Sequence, residues 1–286
     1  MCKAKYFFIT LFCITLIACS LVKTGYNNAS TLTIWWLDDY FGFSPAQQAT
    51  LKPSLQKLHK WHRQTQLPDY ISLLQSTQIG MAKDQISADE VCATFDAVKS
   101  KIHLLQVESI PIILEFAPTI SDKQLQRFQN KLVERAQKWK KEWWQESQAE
   151  RLNARFEKAE DIAEDMYGDL SDAQLNQLEH SVTQANINPA ISYAEIERRN
   201  DDAFAILKTL QNQTLSIDEK TQLVKAGFAR IQASPDATYE TYADAQTKHA
   251  CQTMAILHAS TTPKQKLHAK KWLEDYIVQI AALQTK

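Results

Sequence analysis

Asp38 and Asp39 stand side by side in Trp35-Trp36-Leu37-Asp38-Asp39-Tyr40-Phe41, a stretch with four aromatic residues in seven. Adjacent carboxylates in an aromatic setting can serve as a general acid and base, because burial can keep one protonated while the other stays ionised. His62, within Trp61-His62-Arg63, is the imidazole that would complete such a site. No third catalytic partner is visible near them. The pattern therefore reads first as a helical hairpin buttressed by aromatics. Two carboxylates in the last turn of a helix oppose its dipole and need compensation, either from the start of the next helix or from Lys60, His62 and Arg63. His59 and His62 share a helix face, but no further ligands follow at helical spacing and no H-E-x-x-H occurs, so no metal is expected. His249 and Cys251 lie two apart and do not face each other on a helix, which leaves no Cys–His nucleophile.

A second pattern is basic. Lys123, Arg127, Lys131 and Arg135 recur every fourth residue beside an apolar face of Leu125, Phe128, Leu132, Ala136, Trp139 and Trp143. Such a stripe could meet membrane phosphates or an acidic client, although most are simply solvated. The acidic residues Glu157, Glu160, Asp161, Glu164 and Asp165 could instead cover it across a hairpin. Trp139, Trp143 and Trp144 read as packing. The candidate binding residues are thus Trp35, Trp36, Asp38, Asp39, Trp61, His62, Arg63, Lys123, Arg127, Lys131 and Arg135.

The elements that must position these residues are helices. The 286-residue chain has five glycines, where average usage of about 7 % would give roughly twenty. Phosphate loops and nucleophile elbows need glycine, so no cofactor and no enzyme of those types is expected. Helix starts recur as one device, S/T-x-x-Q or S/T-x-x-E, in which the hydroxyl accepts from the third N–H while the third side chain reaches back. It occurs at Ser44–Gln47, Ser121–Gln124, Ser171–Gln174 and Thr262–Gln265, and in glutamate form at Ser87–Glu90 and Ser216–Glu219. Stops are expected at Gly42, Gly80 and Gly168, in left-handed caps. Helices are predicted at about 31–41, 44–66, 68–79, 87–108, 111–117, 122–146, 148–167, 172–185, 190–212, 217–233, 236–259 and 263–284, with a kink or true start at Pro53. Residues 122–167 could form one helix of roughly 68 Å. The expected fold is all-α, an elongated bundle of antiparallel helical hairpins.

Lys3 and Lys5, an apolar run from Tyr6 to Ala18, and Leu16-Ile17-Ala18-Cys19 form a secretion signal. The run is 13 residues long, short of the roughly 20 needed to span a bilayer. Leu16-Ile17-Ala18-Cys19 resembles a bacterial lipobox, which implies cleavage between Ala18 and Cys19 and acyl chains on Cys19. Ser20, rather than aspartate, then implies the outer membrane. Residues 1–18 are read as signal peptide, 19–30 as a tether and 31–286 as an all-helical periplasmic domain. Removing the signal takes away two lysines and leaves 30 basic against 33 acidic residues, a net charge of −3, which is no nucleic-acid-binding balance. Cys92 and Cys251 remain in an oxidising compartment and are either a disulfide or two buried thiols.

The motifs at 35–41, Ser44-Pro45-Ala46-Gln47, Leu51-Lys52-Pro53, Trp61-His62-Arg63 and Leu67-Pro68 resemble an uncharacterised lipoprotein family of Gram-negative bacteria. That resemblance implies a mature envelope lipoprotein and supplies no activity. The S/T-x-x-Q boxes resemble, more loosely, the L-T-x-x-Q of periplasmic helical stress chaperones. The expected function is a non-enzymatic binding or adaptor protein, its partners being the membrane and a protein or unfolded clients. The alternatives are a chaperone-like holdase and an enzyme using Asp38 and Asp39.

Overall fold

The computed structural model of the chain describes residues 22–144 and 147–285, so the signal, Ala18, Cys19 and Ser20 lie outside the described residues. Among the described residues there is no strand and there are eleven α-helices. They are α1 (Ala29–Phe41), α2 (Pro45–Trp61), α3 (Leu67–Met81), α4 (Ala88–Phe116), α5 (Asp122–Trp143), α6 (Gln148–Tyr167), α7 (Asp172–Gln184), α8 (Pro189–Leu210), α9 (Ile217–Gln232), α10 (Ala237–Ala259) and α11 (Pro263–Gln284). A π-helical turn, His62–Gln66, joins α2 to α3, and a 3-10 turn, Ala117–Thr119, follows α4.

All six predicted capping boxes form with both of their hydrogen bonds. A seventh, Ser147–Glu150, opens α6. It ends the expectation of one long helix over 122–167, because its extended N-cap turns the chain where continuity was allowed. Residues 87–117 depart the other way. The predicted break before Pro111 is absent, and α4 runs through that proline. Ile110 and Phe116, buried in different clusters on either side of Pro111, hold the helix across the missing N–H. Pro53 likewise lies inside α2.

Of the predicted glycine stops, Gly42 takes the left-handed conformation (φ 62°, ψ 65°), and Gly168 takes φ 75° and ψ −164°, a region closed to a Cβ. Gly80 has no positive φ and sits inside the last turn of α3, its carbonyl accepting from Lys83 N–H. At Leu67-Pro68 the chain stays helical rather than stopping. Pro68 lacks an N–H and crowds the carbonyl four residues back, and the turn widens to π geometry, with Leu67 N–H donating to His62 C=O. The tether also gives way to structure: residues 22–27 are helical.

Three apolar clusters form the core. In the first, Phe41 stacks between Phe43 and Phe128, and Phe116 meets it edge-on. The second gathers Tyr167, Leu178, Leu257, Ala269 and Leu273, and the third Ile110, Ala117, Leu210 and Val224. Each of the first two is closed by the same junction. Gln47 and Gln124 donate to each other's side-chain oxygens at 3.1 and 2.8 Å, and Gln174 and Gln265 do so at 3.0 Å. Each second N–H reaches the backbone carbonyl two residues before the partner's N-cap: Thr119, Gly42, Ser260 and Asp169 respectively. The glutamine boxes therefore dock helix starts in pairs. A glutamate cannot donate the cross-bond, and the three glutamate boxes cap single helices. A disulfide, Cys92–Cys251, joins α4 to α10 across 159 residues of sequence, with a Cα–Cα distance of 5.5 Å.

Candidate functional site

The acid pair does not converge with His62. Asp38 Oδ1 accepts from Phe43 N–H at 2.6 Å and closes the turn before α2, one of the two compensations expected. Asp39 pairs with Lys131 at 3.2 Å. The basic stripe thus meets α1 and not the acidic residues of α6: Arg127 donates to the Asp39 carbonyl at 3.2 Å, and Arg135 lies 5.5 Å from the Tyr40 ring. Lys123 remains exposed. Trp35 and Trp36 point outward, 67 % and 57 % exposed. Trp139 and Trp144 pack on Tyr193, as packing residues would.

His62 and Arg63 sit on the π-turn, which aims them inward. Tyr26 and Tyr70 hydroxyls bracket the His62 ring at 2.9 and 3.1 Å, and Trp61 lies edge-on 6.5 Å away. Burial, helped by His59, lowers the His62 pKa below its ordinary value. Buried Arg63 donates to Leu283 C=O and to Asn27 Oδ1, both at 2.7 Å. The cluster ties residues 26 and 27 and the end of α11 to the α2–α3 turn. It leaves the imidazole no free face for a metal, and among the described residues no group of three His, Cys, Asp or Glu could hold one.

A largely apolar concavity lies elsewhere, between α4, α6, α7 and α10. It has a volume of about 380 Å³, within the roughly 300–1,000 Å³ usual for ligand sites. Phe95 lines it from α4; Ala159, Ile162 and Ala163 from α6; Leu178 and Val182 from α7; Ala250, Met254 and Leu257 from α10; and Trp143 from the end of α5. Cys92 lies three residues before Phe95 on α4 and Cys251 next to Ala250 on α10, so the disulfide ties together two of the helices that wall the groove. Phe95 and Met254 also border a second apolar cavity of about 510 Å³, in which the charges, Lys83 and Glu90, pair with each other.

Among the described residues no carboxylate lines the first groove, and its charged lining residues are Arg155 and Lys158. The Arg155 guanidinium lies 5.5 Å from the Trp143 ring, and its buried Nε has no hydrogen-bond partner among the described residues. Burial pushes its pKa below the ordinary arginine value. Ser181 and His249 meet on the opposite wall. His249 Nε2 is 2.9 Å from the Ser181 carbonyl and 3.2 Å from its hydroxyl. An Nε2–H donor to the carbonyl is no base for the hydroxyl, which is also bonded to Thr253. The wall is polar and closed rather than nucleophilic. Of the groove residues only Trp143 and His249 stand out in sequence, as a packing residue and as half of an unsupported Cys–His pair, because five helices supply the lining and the disulfide alone marks the place. A glutamine in a capping box, as against a glutamate, was the one local sign of a long-range junction.

No helix among the described residues is long and apolar enough to cross a membrane. No curated protein and no solved structure matches the chain. A family of unknown function, DUF6279, matches residues 39–225, from the last turn of α1 into α9, and the chain belongs to that family.

Proposed function

We propose that this protein is a non-enzymatic binding lipoprotein, held at the periplasmic face of the outer membrane by acyl chains on Cys19, whose α4–α6–α7–α10 groove takes one acyl chain with an anionic head. The observation that carries this reading is the groove itself, mostly apolar, with no carboxylate among the described residues that line it, and set beside an arginine without an ion partner among the described residues. An acyl chain matches the walls through apolar burial. A carboxylate or phosphate head matches Arg155 through charge-assisted, bidentate hydrogen bonds. The second cavity beyond Phe95 and Met254 offers the chain further room.

A fluorescent fatty acid and the corresponding alcohol test it. The acid should bind the wild-type protein about tenfold more tightly than the alcohol, a difference of about 1.4 kcal/mol. Arg155→Gln should erase that preference while the alcohol still binds. Ile162→Glu, on an exposed part of the wall, should weaken both. If neither probe binds the wild-type protein at about 100 μM, weaker than roughly −5.5 kcal/mol, the reading is wrong.

The holdase reading drew on the repeated boxes and on the basic stripe of α5. In the fold the glutamines of the boxes are hydrogen-bonded to one another, which removes the boxes as support for it.

A further inference from the structure

We infer that the domain seats directly on the bilayer through the outer face of α1, with Leu32, Trp35 and Trp36 in the interfacial layer. This rests on acylation of Cys19, as proposed above, but not on what the groove binds. Leu32, Trp35 and Trp36 fall at i, i+3 and i+4, one helix face, and are 43 %, 67 % and 57 % exposed. The opposite face carries Ile34 and Phe41 into the core, while Tyr40, one turn after Trp36, is buried at the edge with its ring 5.0 Å from that of Trp36. Two neighbouring tryptophans, the most exposed aromatic residues among those described, call for a partner surface, and the chain's own covalent geometry supplies one.

Only two residues, Ser20 and Leu21, separate Cys19 from the helical residues 22–27, a reach of about 10 Å from Cys19 to Val22 even when fully extended. Those residues do not swing on a tether. Tyr26 packs on His59, 4.6 Å between ring centroids, and is hydrogen-bonded to His62, while Asn27 accepts from Arg63. The fold is therefore clamped to a segment that begins within about 10 Å of the acylated residue. Val22 is itself 49 % exposed, and Leu32 and Trp36 follow it by ten and fourteen residues, past the turn at Asn28 that opens α1. A helix lying along the surface brings these side chains to the depth where tryptophan partitions, with its ring in the acyl boundary and its N–H among headgroups. A helix standing upright would leave them in water. The flat orientation also presents Arg135, beside Tyr40, to the phosphates.

Acylated full-length protein in phosphatidylcholine vesicles, made with and without shallow-brominated lipid, tests this. The wild type should show blue-shifted tryptophan emission on vesicles and strong quenching by the brominated lipid. Trp35→Phe/Trp36→Phe, with unchanged circular dichroism, should lose both the shift and the extra quenching. Mass spectrometry of the N-terminal peptide and co-flotation with vesicles establish anchoring separately, so a failure of lipidation is not mistaken for a failure of seating. An anchored protein whose Trp35 and Trp36 stay open to aqueous acrylamide overturns the inference. So does protection of the same pair in unacylated Cys19→Ser protein that grows with protein concentration, because the face would then belong to a second copy of the chain.

Discussion

His258 has none of its surface exposed, yet it titrates near neutrality in water. Its ring is held on both sides: Nε2 lies 2.9 Å from the Lys83 carbonyl and donates to it, which leaves Nδ1 to accept from the Tyr167 hydroxyl at 3.0 Å. This neutral tautomer stitches the ends of α6 and α10 to the segment after α3. Burial lowers the pKa of His258, against the opposing Lys83 carbonyl, and lowers that of His62 as well. Below about pH 6.5 the unfolded chain binds more protons than the folded one. Stability is complete above that value and lost as pH falls through it. Thermal unfolding followed from pH 7.5 to 5 should show a falling Tm, and His258→Asn should flatten the fall. A wild-type Tm that holds level over this interval would contradict the assignment. Glu90 and Glu195, held at about 2, act only at lower pH: Glu90 by its hydrogen bond from Lys83, and Glu195 by Arg198, Arg199 and Ser234 against its burial. His62 was visible in sequence as a residue of interest, but as a catalytic, metal or binding group or a counter-charge to the acid pair. Its two tyrosine partners are separated from it by 36 and 8 residues, and spacing alone could not show them.

At the scale of elements, nearly every helix was legible, because caps are written locally: a hydroxyl, a glutamine or glutamate three residues on, and an apolar residue before. The errors have local causes too. Pro111 was given more weight as a breaker than the burial on either side allows, and Ser147–Glu150 is a box of the same form as the others, passed over inside an unbroken helical pattern. What no local rule conveys is that the four glutamine boxes find each other. Gln265→Glu keeps the cap, since glutamate serves at Ser87, Ser147 and Ser216. It removes the donors to Gln174 and to the Asp169 carbonyl in a buried site. Each lost bond is worth about 1 kcal/mol and an unsatisfied buried group about 1–3, so the urea midpoint should fall by the equivalent of about 3 kcal/mol. Glu219→Gln, at a solitary exposed box, should change it by less than about 0.5 kcal/mol. Equal effects at both sites would mean that the glutamine pairs contribute nothing beyond capping.

Across the whole molecule, the family match ends in α9, but the fold does not. Helices α10 and α11 are bound back by the Gln174–Gln265 junction, by Arg63 to Leu283, and by Cys92–Cys251. The disulfide is the strongest of these. By the loop-entropy argument, closing 159 residues stabilises the fold by about 4–5 kcal/mol, a large share of the roughly 5–15 kcal/mol that holds a domain together. In sequence the two cysteines stood open between a bond and two buried thiols, because separation along the chain carries no information about distance in space. The folded arrangement decides it, with both cysteines on the inner faces of helices that also wall the groove. Stability and binding should therefore fail together. In reducing buffer, or in Cys92→Ser, the urea midpoint should drop by the equivalent of about 4 kcal/mol, and the fluorescent fatty acid should be released at denaturant concentrations where the oxidised protein still holds it. Thiol titration of the denatured, unreduced mature protein gives the decisive count for these two residues. Zero reactive thiols accords with the bond, whereas two would remove the staple and with it the tie between two of the groove's helices.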